Sequence, residues 1–136
     1  MIRTLVVATL LLAGCSPTEA PTPAASSTTP SDKSAASACT RVALTIEKNN
    51  PPVEDMGTAM RAIESTDSGV REAGQRLGPI AQEAGRLWVE NDPTVDKGPA
   101  NLRLADARQG LLTACTNLFG AYPWPFTRLP SPTPSS

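Results

Sequence analysis

Three cysteines and no histidine limit the chemistry open to this 136-residue chain. The cysteines are Cys15, Cys39 and Cys115. A thiol serves as nucleophile, metal ligand, lipid attachment point or half of a disulfide. Without histidine the commonest general base is missing, with the usual activator of a serine or cysteine and the commonest catalytic zinc ligand. The chain has no Cys-x-x-Cys motif, no G-x-S-x-G elbow and no phosphate-binding glycine loop after a strand. The carboxylates Glu64, Glu72, Glu83 and Glu90 are spread among Arg and Gln on what read as solvated faces, and no spacing singles out an acid–base pair. Glu90, Asn91, Asp92 and Asp96, followed by Gly98, form one oxygen-rich spot. Calcium requires several such oxygens at once, but the alternating D-x-D-x-D-G pattern is absent and Pro93 interrupts. This stretch therefore reads as a helix-to-helix turn with Asp96 or Gly98 near the next N-cap. The sequence names no catalytic residue, cofactor or metal.

What surrounds each cysteine assigns it. Arg3 is the only charge before the apolar run Leu5–Ala13, "LVVATLLLA". Nine residues are too few to span a bilayer, which needs about twenty, but they suit the apolar core of a secretory signal. The run ends Leu12-Ala13-Gly14-Cys15. That stretch resembles the lipobox of bacterial lipoproteins, in which a Leu and two small residues precede an invariant Cys. The resemblance implies that residues 1–14 are a signal peptide removed by signal peptidase II. It also implies that Cys15 carries a diacylglyceryl thioether and becomes the first residue of the mature chain. Each buried CH₂ contributes about 0.8 kcal/mol, and two or more chains hold a protein stably on a membrane. The expected location is the outer face of the cell membrane, anchored by lipid.

Residues 15–37 read as a tether. Ser16–Ser37 is nearly all Pro, Ser, Thr and Ala, with no large apolar residue. Such a segment cannot offset its ordering entropy and is expected to be disordered and extended by its prolines. Its Ser/Thr/Pro content suits either an O-glycosylated stalk or a bare spacer. The tail, residues 123–136, ends in similar composition, "LPSPTPSS". Tyr122, Trp124 and Phe126 alternate with Pro123 and Pro125, which excludes a helix there and leaves the aromatics to cap the domain core.

Between these ends lies one domain, residues 38–122, near the lower size limit for a self-sufficient core. From Cys39 to Tyr122 it carries nine Lys/Arg and eleven Asp/Glu with no basic stripe, which argues against nucleic acid. The apolar period is helical throughout. Cys39, Val42, Ala43 and Ile46 define one face, and "NNPP" at Asn49–Pro52 ends it. Val53, Met56, Met60 and Ile63 define a second, closed by "STDSG" at Ser65–Gly69. Val70, Gly74, Leu77, Ala81, Ala84 and Trp88 define a third, with Pro79 predicting a kink or a restart. Leu104, Ala107, Leu111, Cys115 and Leu118 define a fourth, from about Pro99 to Ala121. The expected fold is an all-α antiparallel bundle of about four helical stretches.

With Cys15 lipidated, Cys39 and Cys115 remain as an even pair in a disulfide-permissive compartment. They sit near the start of the first helix and the end of the fourth. Four antiparallel helices bring those points to the same end of the bundle, whereas three would separate them. A Cys39–Cys115 disulfide is therefore expected. The Ala/Pro-rich composition around the lipobox is similar to that of small envelope lipoproteins of high-GC Gram-positive bacteria. The expected role is a non-catalytic binding module, anchored to the membrane, that contacts an envelope protein, wall polymer or small ligand. The alternatives are an enzyme without a recognisable motif, or a phage- or plasmid-encoded exclusion lipoprotein. Trp88 fits both a core position and an interface anchor, and Tyr122–Phe126 are the other candidate anchors.

Overall fold

Asp32, rather than Cys39, begins the first helix in the computed structural model, which describes residues 30–127. Four helices follow one another up and down: α1 (Lys33–Lys48), α2 (Asp55–Ile63), α3 (Ser68–Glu90) and α4 (Gly98–Phe119). Short 3-10 turns, Pro52–Glu54 and Pro125–Thr127, precede α2 and follow α4. Among the described residues there is no strand. The expected all-α antiparallel bundle is what forms. No described helix is long and apolar enough to cross a membrane. The signal segment, Cys15, most of the tether and the "LPSPTPSS" tail lie outside the described residues.

The domain is longer at both ends than its composition predicts. Asp32 Oδ1 accepts the backbone N–H of Ala35 at 2.8 Å, capping α1. Its Oδ2 accepts from the Ser65 hydroxyl at 2.7 Å and from the Thr66 N–H and hydroxyl at 2.8 and 2.9 Å. One carboxylate thus stitches the start of α1 to the α2–α3 turn. Behind it Ala35, Ala36 and Ala38 are buried, so Lys33–Ser37 belongs to the helix and not to the tether. At the far end Trp124 is 1% exposed. Its indole N–H donates to the Gly120 carbonyl at 2.9 Å, and Phe119 and Phe126 pack around it. The expected capping by the aromatic tail holds, with Trp124 as the plug and Tyr122 left at the surface.

The core is small. Val42, Val70, Leu77, Leu104, Leu111 and Trp124 are its largest apolar members, and most of the rest are alanines. The Cys39–Cys115 disulfide forms as expected, with its α-carbons 5.6 Å apart. It closes a loop spanning 76 positions, which corresponds to about 4.5 kcal/mol in the chain-entropy account.

Two helices depart from their expected form. α3 runs unbroken through Pro79. Gly78 before it has no β-carbon to clash with the proline ring, and Gln75, whose carbonyl loses its partner, lies at the surface. α2 is turned by one residue, about 100°. The predicted face of Val53, Met56, Met60 and Ile63 is exposed, Met60 by 61%, and the buried positions are Asp55, Thr58, Ala59 and Ala62. The cause is close packing on α3. A β-carbon at Gly74 would lie 2.5 Å from that of Ala62 and 2.9 Å from the Ile63 nitrogen, so only small residues fit at this crossing. Ile46, Leu118 and Trp88 also leave their predicted seams for the surface.

Candidate functional site

Asn49 ends α1 in the left-handed conformation (φ 50°), and Pro51 and Pro52 turn the chain into α2. Backbone hydrogen bonds from Asn49 to Ile46 and from Asn50 to Thr45 hold this turn to α1, and one buried ion pair ties it to the rest of the bundle. Asp55 on α2 is fully buried and Arg108 on α4 nearly so. Arg108 Nε lies 3.0 and 3.2 Å from the two carboxylate oxygens, and Nη2 lies 2.6 Å from Oδ2. Nη2 also donates to the Asn50 carbonyl at 3.0 Å. The pair therefore ties three segments together: the 49–52 turn, the start of α2 and the middle of α4. Bidentate geometry and full satisfaction are what make a buried pair tolerable.

A cleft of about 280 Å³ opens beside the pair. The 49–52 turn, Asn101, Leu104, Ala105 and Trp88 line it, Trp88 being the one aromatic side chain in its wall. Trp88 is 54% exposed. Its indole N–H, the side-chain amides of Asn49 and Asn101, and Arg108 Nη1 make no hydrogen bond to any described residue. Among the described residues no buried side-chain nitrogen or oxygen is left without a partner, so Nη1 is not fully buried, and Arg108 lines the cleft. Asn50 is already committed, its amide donating to Glu54 at 2.8 Å.

On the other side of the C-terminal turn of α3, a second hollow of about 420 Å³ lies between α2 and α3. Val53, Met56, Ala81, Gly85 and Val89 line it, with Gln82, Arg86 and Glu90 beside them. Val53 and Met56 face this hollow because the predicted apolar face of α2 is turned out of the core.

Both hollows lie at the end of the bundle away from Asp32, where the chain from Cys15 enters. α1 separates the two ends by about 24 Å. The near end is occupied by the Asp32 hydrogen-bond hub. Burial raises the Asp32 pKa, but the hydrogen bonds from Ala35, Ser65 and Thr66 together outweigh this and hold it well below the usual value of 3.8.

The oxygen-rich stretch after α3 is spent on the turn, as its sequence predicts. Asp92 accepts from the Thr94 N–H and hydroxyl, Asp96 from the Gly98 N–H, and Asn91 from Lys97. Among the described residues no group of three His, Cys, Asp or Glu comes together. Glu64 and Glu90 form exposed ion pairs with Arg61 and Arg86, and Glu83 pairs with Arg103 across α3 and α4. Of the candidate anchors, Trp124 is core, Tyr122 and Phe126 surround it, and Trp88 is the one that lines a cavity. Sequence reasoning missed Asp55, Arg108 and Asn101. Asp55 carried one signal, a carboxylate sitting between the apolar positions 53 and 56, and only Arg108, 53 residues away, gives it meaning. No family model, curated protein or solved structure matches the chain.

Proposed function

We propose that this chain is a membrane-anchored envelope lipoprotein that works by binding, through the end of its bundle remote from the anchor. The observation that carries this is the placement of the Trp88 cleft. Unspent donors, an exposed indole and an apolar hollow gather at the end opposite Asp32. A lipid on Cys15 supplies the anchor, and residues between Cys15 and Asp32 supply reach. Confinement to the plane of a membrane raises the effective concentration of partners there, so modest affinity suffices. An acid–base set is not needed for this role, and most of the described carboxylates, among them Asp32, Asp55, Asp67, Glu83, Glu90, Asp92 and Asp96, are engaged in caps, turns and ion pairs.

The anchor and the face are tested separately. Detergent phase partitioning should place the wild-type chain in the detergent phase and Cys15→Ala in the aqueous phase, and equal partitioning contradicts the anchor. A photo-crosslinking side chain at Leu102, exposed near the cleft, should give adducts with envelope material in intact cells. The same group at Glu72, exposed toward the Asp32 end, should not. Adducts from Glu72 alone, or from neither, contradict the proposed face.

A further inference from the structure

We infer that the Trp88 cleft takes an uncharged, hydroxyl-rich ring, one sugar unit of a neutral glycan. The inference rests on the proposed binding role and names its ligand chemistry.

Three features of the cleft converge on that class. The first is the wall. Trp88 presents an indole that is more than half exposed, although the small core of this domain would gain by burying it. An exposed aromatic face favours flat, weakly polar surfaces, and the C–H face of a pyranose is such a surface. The second is the polar complement. Asn49 and Asn101 each offer a donor and an acceptor, and the Trp88 N–H and Arg108 Nη1 offer donors only. Hydroxyl groups, which both give and accept, match such a mixed set. The third is charge. The guanidinium is cancelled by Asp55 at 2.6 Å, and no uncompensated cation lines the cleft. A carboxylate or phosphate would gain one hydrogen bond there but no net charge partner, and would lose its hydration.

The size agrees with one ring. About 280 Å³ lies just under the usual range for small-molecule sites. One unit of a longer chain fits, with the rest in solvent. A proline-rich peptide requires successive aromatic ridges, and this cleft has one aromatic wall. The cleft is also preorganised, because the Asp55–Arg108 pair and the Asn50 carbonyl fix the 49–52 turn before any ligand arrives.

The chain has two tryptophans, so nitrogen-labelled full-length protein in detergent micelles should give two indole N–H resonances. Trp88→Phe assigns them. Titration with neutral trisaccharides (chitotriose and maltotriose), a trigalacturonate and a proline-rich decapeptide follows. At least one neutral trisaccharide should move the Trp88 resonance saturably and leave that of Trp124 in place. Asn101→Ala should weaken that binding about three- to tenfold, the loss of one or two neutral hydrogen bonds. The unshifted Trp124 resonance shows that the variant is folded. No movement with any neutral saccharide up to about 10 mM, beyond the millimolar range of weak sites, overturns the inference. So does movement with trigalacturonate or the peptide alone, or unchanged affinity in Asn101→Ala. If the Leu102 crosslinks form while no saccharide binds, the binding role stands and the sugar assignment falls.

Discussion

Three charged residues tie the elements of this protein together, and they do so in two ways. Asp55 and Arg108 are buried against each other, and removing one leaves the other unpaired in a small core. Asp55→Ala should cost about 3–5 kcal/mol of unfolding free energy, whereas the double change Asp55→Leu with Arg108→Met should recover most of it. Urea midpoints of the three chains measure this. Equal stability of the single variant and wild type would remove the pair as an organiser of the 49–52 turn. Asp32 acts through hydrogen bonds to its ionised form. Because its folded pKa is depressed, its contribution is complete above the unfolded value of 3.8 and is lost as pH falls below it. Wild-type stability should therefore drop between about pH 5 and pH 2, and Asp32→Asn should show a shallower drop over the same interval. Identical pH profiles would contradict the hub. Asp55 carried only its place between apolar positions 53 and 56, and neither Arg108 nor Asp32 was legible in the sequence. Asp32 sits among Ser, Pro and Thr, and its partners lie more than thirty positions on, at Ser65 and Thr66.

At the scale of elements, periodicity located three of the four helix faces. Val70, Gly74, Leu77, Ala81 and Ala84 are buried as their spacing predicts, as are Leu104, Ala107, Leu111 and Cys115. α2 departs from its period because its large apolar residues do not mark its buried side. Its packing is decided instead by Ala59, Ala62 and Gly74, where backbones approach too closely for larger groups. Small residues give no hydrophobic signal, so pattern reading rotates such a helix outward. Gly74→Ala should destabilise the domain by about 1–3 kcal/mol or more through overpacking, while Met60→Gln on the exposed face should change stability by less than about 0.5 kcal/mol. Thermal unfolding of both separates the two sides of α2. The reverse order of effects would restore the orientation that periodicity predicts. The length of α1 was hidden for the same reason: Lys33–Ser37 is Ala and Ser, a composition shared with the tether it adjoins.

For the whole molecule, the disulfide was legible because helix count and cysteine position constrain each other. The Trp88 cleft was not, since it joins residues from 49 to 108 that share no motif. Cys39→Ser with Cys115→Ser should lower stability by about 2–5 kcal/mol, and reduction of the wild type, which removes the same bond, should lower it by a similar amount. Reduction that leaves the unfolding midpoint unchanged would show that the small core suffices alone. In the proposed role, attachment lies at one end of the bundle and recognition at the other. Hydrogen exchange of the full-length chain in native envelopes, compared with the same chain purified in detergent, tests that division directly. The account predicts added protection in peptides covering residues 49–55 and 86–105, with none over residues 64–72. Protection confined to residues 64–72, or no difference between the two preparations, would contradict it.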